Sequence, residues 1–333
     1  MAAIWVLAGS KTGDNLQVLR AVDAVGLPHE LKRIVLKPGF ETAKPRVTAS
    51  LDIVDLQKSD ALQAPWPDLV ITIGRRLSLP ALWIKQQSGG LTKIALFNAP
   101  KGQHDQFDLI VAPTYYQLAD TPRLCRIGLP LIAADPQRIE QGRVEFAETL
   151  GRMPKPLHVL LLGGDMGRGK LDPGFAAGIV RRMRASHAGS GSIYVSTSRR
   201  TPPSAADAVA AELTPADAMF RWSPDARDNP YMGLLAHGDS FTITSDSLSM
   251  LTEVARLGKP IAIAAPEGNS AFTRMLDAVG LGRARDLDAA ARHLIDGGHA
   301  VMLGEPLRAP VAPPPDDTDR VAERLRQLVL SRG

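Results

Sequence analysis

The chain has 333 residues, of which 44% are hydrophobic and 22% are charged. This length predicts two domains of about 150 residues each, and charge spread without long blocks argues against intrinsic disorder. The net charge of +4 is only mildly basic, and the arginines occur in small groups rather than in a basic tail. Such groups suit phosphates or an anionic membrane surface, so we expect no nucleic-acid partner.

Cysteine usage and hydropathy bear on the cellular compartment. The single Cys125 lies in an apolar run, where we expect it to be a buried small hydrophobic residue in a reducing environment. We recognise no signal peptide, and no apolar run approaches the about 18–20 residues that a spanning helix needs. The histidines lack metal-ligand spacing, so no metal and no cofactor is predicted. We expect a soluble cytoplasmic protein, at most peripheral to the inner membrane.

Short apolar runs alternate with helical patterns in the first half of the chain. The predicted strands are Ile4–Ala8, Ile34–Leu36, Leu69–Ile73, Lys93–Phe97, Leu109–Ala112 and Leu124–Ile127. Apolar runs without polar alternation are typical of parallel strands that are buried on both faces. Residues 1–150 are therefore predicted to form a doubly wound, Rossmann-like α/β domain, with ligands at the carboxyl ends of its strands.

Two strand-end loops of this first domain carry candidate site residues. After the first strand, Lys11 and Asp14 combine a cation with a carboxylate. Asp14 is a candidate general base that would take a proton from an acceptor hydroxyl, and capping of the first helix is the alternative. After the strand Leu69–Ile73, the paired Arg75 and Arg76 are a candidate site for a phosphate or carboxylate, ahead of a helix predicted over Leu79–Gln87.

The segment from Gly151 to Pro156 (GRMPKP) is the clearest break in the chain, and it predicts the domain boundary. A second βα series follows, which predicts another doubly wound domain over residues 151–305. Its predicted strands are Leu157–Leu162, Ser192–Thr197, Ala218–Arg221, Ser240–Thr244 and Ile261–Ala264. Residues 306–333 then contain a proline-rich connector and an amphipathic helix over Asp317–Leu330.

The stretch from Asp239 to Ala265 holds the main candidate site, because hydroxyl side chains stand between a strand and a helix. Free backbone N–H groups and the helix dipole favour a phosphate at such a turn. The candidate phosphate ligands are Ser245, Ser247 and Ser249. Glu253, one to two turns into the helix, is placed to reach a ribose hydroxyl pair. The alternatives are ordinary helix capping and a solvated Glu253.

Other strand-end loops of the second half add further candidates. Gly163 and Gly164 suit a close approach of the backbone to a diphosphate, or a simple tight turn. Ser196, Arg199 and Arg200 follow the strand Ser192–Thr197, where hydroxyls with two arginines suit a diphosphate clamp or an exposed capped loop. Asn269 follows the strand Ile261–Ala264 and is a candidate partner for a sugar hydroxyl.

The turn before Glu253 resembles the nucleotide-sugar half of GT-B glycosyltransferases. The whole chain is similar to the bacterial relatives of the plant "elongated mitochondria" fission protein, whose members are often labelled nucleoside-diphosphate-sugar epimerases. The segments that carry this resemblance are Trp5–Asn15 (WVLAGSKTGDN), Pro65–Lys85 (PWPDLVITIGRRLSLPALWIK), Phe107–Pro113 (FDLIVAP), Leu161–Asp165 (LLGGD) and Ser240–Glu253.

The resemblance implies two domains that face each other across a cleft, with a last helix that packs back on the first domain. It implies a nucleotide-diphosphate sugar as the donor substrate and transfer of the sugar without a metal ion. The acceptors that it implies include one at a membrane surface or one linked to a lipid. Asp246 stands where glycine is usual in these relatives, and its carboxylate would repel a diphosphate unless it is turned away. Ser247 and Gly164 should lie together on the second domain.

Two other functions stay open on the same scaffold. One is a nucleotide-sugar epimerase that uses no hydride transfer, because the chain has neither a G-x-G-x-x-G fingerprint nor a Tyr-x-x-x-Lys pair. The other is a non-catalytic scaffold of the kind that a fission adaptor implies, which would recruit an unidentified protein partner or a membrane.

Overall fold

A computed structural model describes residues 3–100, 102, 104–116, 118–165, 171–266 and 287–330. The chain divides into two compact units, each built on a parallel sheet. The first unit comprises Met1–Ile132 together with Pro315–Gly333, and the second comprises Ala133–Pro314. Both units have the doubly wound α/β architecture that the sequence predicts.

The first sheet has six strands in the described part of the chain, in the order β2-β1-β3-β4-β5-β6. The strands are β1 (Ile4–Ala8), β2 (His29–Arg33), β3 (Leu69–Ile73), β4 (Lys93–Phe97), β5 (Leu109–Pro113) and β6 (Leu124–Ile127). Chain order reverses at β1, which lies between β2 and β3. Cys125 on β6 is buried, as predicted, and this burial raises the pKa of its thiol.

One strand of the first sheet lies at a different position in the sequence from the one predicted. The prediction chose the apolar run Ile34–Leu36, whereas β2 consists of the five residues before it. Within the described part of the chain these residues pair only with β1, and they are mostly exposed, so they lack the apolar run of a covered strand. Leu36 instead forms an isolated antiparallel bridge with Val54.

Helices flank this first sheet. They are α1 (Thr12–Val25) and α2 (Gly74–Gln87), with short 3₁₀ turns at His104–Gln106 and Thr114–Tyr116. The helix predicted over Leu79–Gln87 starts five residues earlier, because Gly74 with φ of +75° turns the chain directly from β3 into α2. Arg75 and Arg76 therefore lie in the first turn of a helix and not in a loop.

The second sheet has the described strand order β12-β11-β10-β7-β8-β9. Its strands are β7 (Leu157–Leu162), β8 (Ser192–Thr197), β9 (Ala218–Phe220), β10 (Ser240–Thr244), β11 (Ile261–Ala264) and β12 (Val301–Met302). The two-residue strand β12 was not predicted, because it is too short to show a period. The helices are α3 (Pro136–Glu145), α4 (Ala147–Leu150), α5 (Pro173–Ser186), α6 (Pro203–Ala211), α7 (Tyr231–His237), α8 (Leu248–Arg256) and α9 (Leu287–Asp296).

The division between the units falls after Ile132, whereas the sequence pointed to residue 150. Helix α3 belongs to the second unit because it packs closely on α7. A Cβ atom on Gly142 would lie only 2.6 Å from the backbone nitrogen of Gly233, and one on Gly233 would lie 2.7 Å from Cδ2 of Phe146. Two facing glycines thus let the backbones of α3 and α7 meet, and the GRMPKP segment lies inside the second unit.

The last helix, α10 (Thr318–Leu330), belongs to the first unit and packs against α1. Leu325 is completely buried in this contact region. The Arg20 Nε atom of α1 donates to Thr318 Oγ1 over 3.0 Å, and the Gly128 N–H donates to Asp317 Oδ2 over 2.7 Å. The chain therefore returns to its first unit after the proline-rich connector.

A buried histidine pair lies near the amino end of β7. The rings of His158 and His187 stack with their centroids 3.4 Å apart. His158 Nδ1 lies 2.7 Å from Ser240 Oγ, while its buried Nε2 atom has no partner among the described residues. Burial, with a smaller contribution from His187, lowers the pKa of His158 from 6.5 to about 4.

This pair predicts a loss of stability in mild acid. Because the pKa of His158 is lower in the folded chain, the unfolded chain binds the proton more tightly between pH 6.5 and about 4. The stabilisation is complete above pH 6.5 and should fall by about 2–3 kcal/mol towards pH 4. Calorimetric unfolding between pH 4 and 7.5 should show this slope in the wild type and in His29→Gln, a control on the edge strand β2. It should be much flatter in His158→Gln, and equal slopes in all three proteins would contradict the assignment.

Candidate functional site

The candidate site lies at the carboxyl ends of β7, β8 and β10 in the second unit. Strand β7 is paired with β8 on one side and with β10 on the other, so the chain order reverses at β7. In open parallel sheets, ligands bind beyond the carboxyl ends of the strands at such a reversal. The loops that follow these three strands contain most of the second-half candidates.

Gly163 and Gly164, which directly follow β7, are buried between the two neighbouring loops. The Gly163 N–H donates to Thr244 Oγ1 over 2.8 Å, and the Gly164 N–H donates to Asp246 Oδ2 over 2.9 Å. A Cβ atom on Gly163 would overlap Ser247 Oγ. One on Gly164 would lie 2.7 Å from Cβ of Arg200. Both positions therefore require glycine for steric reasons, and Ser247 and Gly164 lie together, as expected.

Asp246 connects these loops through one carboxylate oxygen. Its Oδ2 atom accepts the Gly164 N–H and lies 2.7 Å from Nη1 of Arg200 in an ion pair. The Ser247 hydroxyl also lies 3.3 Å from this oxygen. The carboxylate is therefore turned inward, against the backbone of Gly163. Sequence reasoning treated Asp246 only as a departure from related sequences, because its orientation depends on a partner 46 residues away.

The serines around the start of α8 behave differently from one another. Ser245 and Ser247 are buried, while Ser249 in the first helical turn is exposed. Ser247 precedes α8, yet its side chain makes no capping hydrogen bond to the helix. Its Oγ atom instead accepts from Nη2 of Arg200 at 3.3 Å. Capping of α8 by Ser247, the simpler alternative, is therefore wrong.

The loop after β8 brings its two arginines to the surface. Arg199 and Arg200 are exposed, whereas Ser196 is buried within β8. Thr201, which sequence reasoning did not single out, holds this loop to β7. Its Oγ1 atom lies 2.8 Å from the carbonyl oxygen of Leu162 and 2.6 Å from that of Gly163.

Glu253 lies on α8 and is bound by a neighbouring helix. The Tyr231 hydroxyl of α7 donates a hydrogen bond to Glu253 Oε2. Burial raises the pKa of the Glu253 carboxyl, while the Tyr231 hydrogen bond and the charge of Arg138 act in the opposite direction. Burial, together with the Glu253 charge, raises the pKa of Tyr231 well above its ordinary value. Glu253 is therefore a fixed, partly desolvated carboxyl and not a solvated surface residue.

In the first unit, Lys11 and Asp14 flank the start of α1 at the carboxyl end of β1. The Lys11 Nζ atom lies 4.0 Å from Asp14 Oδ2, and Asp14 lies in the first helical turn. Asn15 fixes the loop, because its side chain accepts from the Gly9 N–H over 3.1 Å and donates to the Gly9 carbonyl over 2.7 Å. Sequence reasoning missed Asn15. The role of Asp14 as a base stays a prediction.

Arg75 and Arg76 use part of their guanidinium groups to hold the long segment between β2 and β3. Arg75 Nη1 donates to the carbonyl oxygen of Pro45 over 3.1 Å, and Arg76 Nε donates to that of Ala43 over 3.2 Å. Both side chains thus have a structural role, and their role as an anion site stays a prediction. Asn269 lies outside the described residues.

Within the described ranges, no three His, Cys, Asp or Glu side chains are grouped closely enough to hold a metal ion. None of the helices in the described part of the chain is both long and apolar enough to cross a membrane.

The packing of the Gly163 backbone leads to a stability prediction. A methyl group in Gly163→Ala would overlap Ser247 Oγ and both carboxylate oxygens of Asp246. We expect overpacking to lower the free energy of unfolding by about 1–3 kcal/mol. The control is Gly178→Ala in α5, where the nearest atom lies 3.9 Å away and alanine should be neutral or stabilising. Urea unfolding followed by circular dichroism gives both values, and equal stabilities would contradict the close contact.

The chain is similar to several known proteins. The family model "Mitochondrial fission ELM1" matches residues 12–329. The mitochondrial fission protein ELM1 of Arabidopsis thaliana is 24% identical over 219 residues, which are 59% of this chain and 51% of the plant protein. This chain thus spans about half the length of that relative.

Solved structures resemble the whole chain at low sequence identity. A glycosyltransferase from Rickettsia africae ESF-5 has a TM-score of 0.53 with 11% identity and covers 100% of this chain and 99% of its own. A UDP-GlcNAc 2-epimerase from Methanocaldococcus jannaschii has a TM-score of 0.52 with 10% identity, over 97% and 99% of the two chains. These likenesses show the GT-B fold class, and the matched residues 12–329 show that the chain belongs to the mitochondrial fission ELM1 family.

Proposed function

We propose that the second unit binds a nucleotide-diphosphate sugar and that the protein transfers the sugar as a GT-B-type glycosyltransferase without a metal ion. The observation that carries this proposal is the grouping of Gly164, Ser247 and Arg200 at the carboxyl ends of three strands. These residues come from three separate loops, and they meet where the sheet reverses its order.

Exposed guanidinium groups and the start of a helix at this point support a diphosphate as the ligand. Arg199 and Arg200 are both exposed on the loop after β8. The α8 helix begins beside Arg200, and its first N–H groups receive no capping bond from Ser247. Helix N-termini and guanidinium groups both favour phosphate oxygens, and the exposed Ser249 would add a hydroxyl.

The same groups suit the chemistry of sugar transfer. An acceptor hydroxyl would attack the anomeric carbon, and the bond from that carbon to the diphosphate oxygen would break. Negative charge then builds up on the leaving diphosphate, where fixed arginines stabilise it most in the transition state. In this proposal Asp14 takes the proton of the acceptor hydroxyl. Such general base catalysis accelerates a reaction about 10²–10⁴-fold.

Two alternatives use the same fold. A nucleotide-sugar epimerase is supported by the likeness to the M. jannaschii enzyme, and product analysis separates it from a transferase because epimerisation needs no acceptor. A non-catalytic scaffold is supported by the name of the family, which refers to mitochondrial fission and not to an enzyme. It is also supported by the inward carboxylate of Asp246, which accepts the Gly164 N–H that a phosphate would need. Such a scaffold would not bind nucleotides.

Nucleotide binding is the first test. We expect calorimetry to detect binding of UDP, GDP or their sugar conjugates, and Arg199→Ala to weaken it by about 1.5–3 kcal/mol through loss of charged hydrogen bonds. The matched control is Arg181→Ala on α5 of the same unit, an exposed arginine that pairs with Glu212 and should leave the affinity unchanged. The absence of heat for every nucleotide at millimolar concentration would reject the proposal and favour the scaffold.

The role of Glu253 has a separate test. Glu253→Gln keeps an oxygen that can accept from the Tyr231 hydroxyl but removes the charge, so the protein should stay folded. If Glu253 binds the ribose, this variant should bind UDP about 1 kcal/mol more weakly and inorganic pyrophosphate equally well, because only UDP carries a ribose. An equal effect on both ligands, or no effect on UDP, removes Glu253 from the ribose site.

A further inference from the structure

The carboxylate of Asp246 occupies a position that is built for an anion. One of its oxygens, Oδ2, faces a backbone N–H from Gly164 at 2.9 Å and a guanidinium nitrogen of Arg200 at 2.7 Å. The hydroxyl of Ser247 lies 3.3 Å from the same oxygen. A backbone amide, a guanidinium and a hydroxyl are the donors that proteins use to bind a phosphate oxygen. Asp246 therefore uses the donors that a diphosphate would need.

The surroundings hold this carboxylate in place, although hydrogen-bond donors from the described residues reach only one of its two oxygens. The Asp246 side chain is 2% exposed, and both of its oxygens lie against Gly163, where an added Cβ atom would overlap them. The other oxygen, Oδ1, is buried and has no hydrogen-bond partner among the described residues. A buried carboxylate oxygen without a donor costs free energy, so the arrangement is not explained by stability alone.

The charges also cancel at this point. Arg200 is 51% exposed and so can be reached from solvent, but its guanidinium is already paired with Asp246. An anion that arrives from solvent therefore meets a neutral ion pair and not a free guanidinium. Binding requires Arg200 to exchange the Asp246 carboxylate for an oxygen of the ligand.

We propose that Asp246 is a built-in competitor for the diphosphate group of the ligand, with its carboxylate seated where a phosphate oxygen would bind. This inference rests on the proposed function for the identity of the ligand, and it adds that the free protein holds its site closed to weakly bound anions. Diphosphates bind only when their additional contacts outweigh the lost pair between Arg200 and Asp246.

The test is titration of inorganic pyrophosphate, followed by UDP, into the wild type and Asp246→Asn at low ionic strength. Asparagine is nearly the same size and keeps an oxygen that can accept from Gly164 and Arg200. Removal of one negative charge within a few ångströms of the ligand should tighten the binding of pyrophosphate about tenfold or more. Asp246→Ser, which removes the same charge with a smaller side chain, is measured alongside as a second folded variant.

Two controls separate this effect from a general change in charge. Asp207→Asn breaks another ion pair of an arginine and an aspartate in the same unit, with Arg221, and should leave the pyrophosphate affinity within about twofold of wild type. The double variant Asp246→Asn with Arg200→Ala should lose the gain, because the released guanidinium is its source. Circular dichroism confirms that each variant is folded.

The outcomes distinguish this inference from the proposed function. An unchanged or weaker affinity for pyrophosphate in folded Asp246 variants overturns the inference, and the proposed function survives if the wild type binds UDP. A gain for pyrophosphate that is lost in the double variant supports the inference. If that gain occurs while no nucleotide or nucleotide sugar binds more tightly than pyrophosphate, the inference stands as an anion site and the proposed function is rejected.

Discussion

The close approach of the Gly163–Gly164 backbone to the loops after β8 and β10 is the contact on which the candidate site depends. Any side chain at Gly163 would strike Asp246 and Ser247, and any side chain at Gly164 would strike Arg200. Because the backbone comes so near, its N–H groups can donate to Thr244 and Asp246, and the loop ends cannot move independently. The missing side chains at two positions thus determine where a carboxylate, a hydroxyl and a guanidinium stand.

Much of the fold follows from the sequence, since covered parallel strands are short apolar runs. Such runs predicted β1, β3, β4, β6, β7 and β11 at their observed bounds. The bounds of β8 were also predicted, as were those of β10, where aromatic or β-branched residues alternate with hydroxyls. The edge strand β2 was displaced because an exposed strand has no apolar run, and α2 began early because Gly74 adopts a left-handed conformation. The boundary of the units was also displaced, since the glycine contact between α3 and α7 joins positions about 90 residues apart in the sequence.

The candidate site could be predicted in its location but not in its contacts. The position of hydroxyl and glycine residues after apolar strands was enough to select the loops at Gly163 and Ser245. The orientation of Asp246, the use of Ser247 by Arg200 and the bond from Tyr231 to Glu253 are long-range pairings. No local pattern contains such pairings. Arg75 and Arg76 show the reverse case, because two arginines that look available in the sequence are bound to backbone carbonyls of a distant segment.

The glycine contact between α3 and α7 also has a consequence for how variants of this protein are interpreted. Tyr231, the hydrogen-bond partner of Glu253, is the first residue of α7, and α7 rests on α3 through Gly142 and Gly233. A bulkier residue at Gly142 would push α7 outward and carry the tyrosine hydroxyl away from its carboxylate. In an unbiased mutational screen, such a remote substitution would be grouped with changes in the candidate site, although it touches none of the loops that form that site.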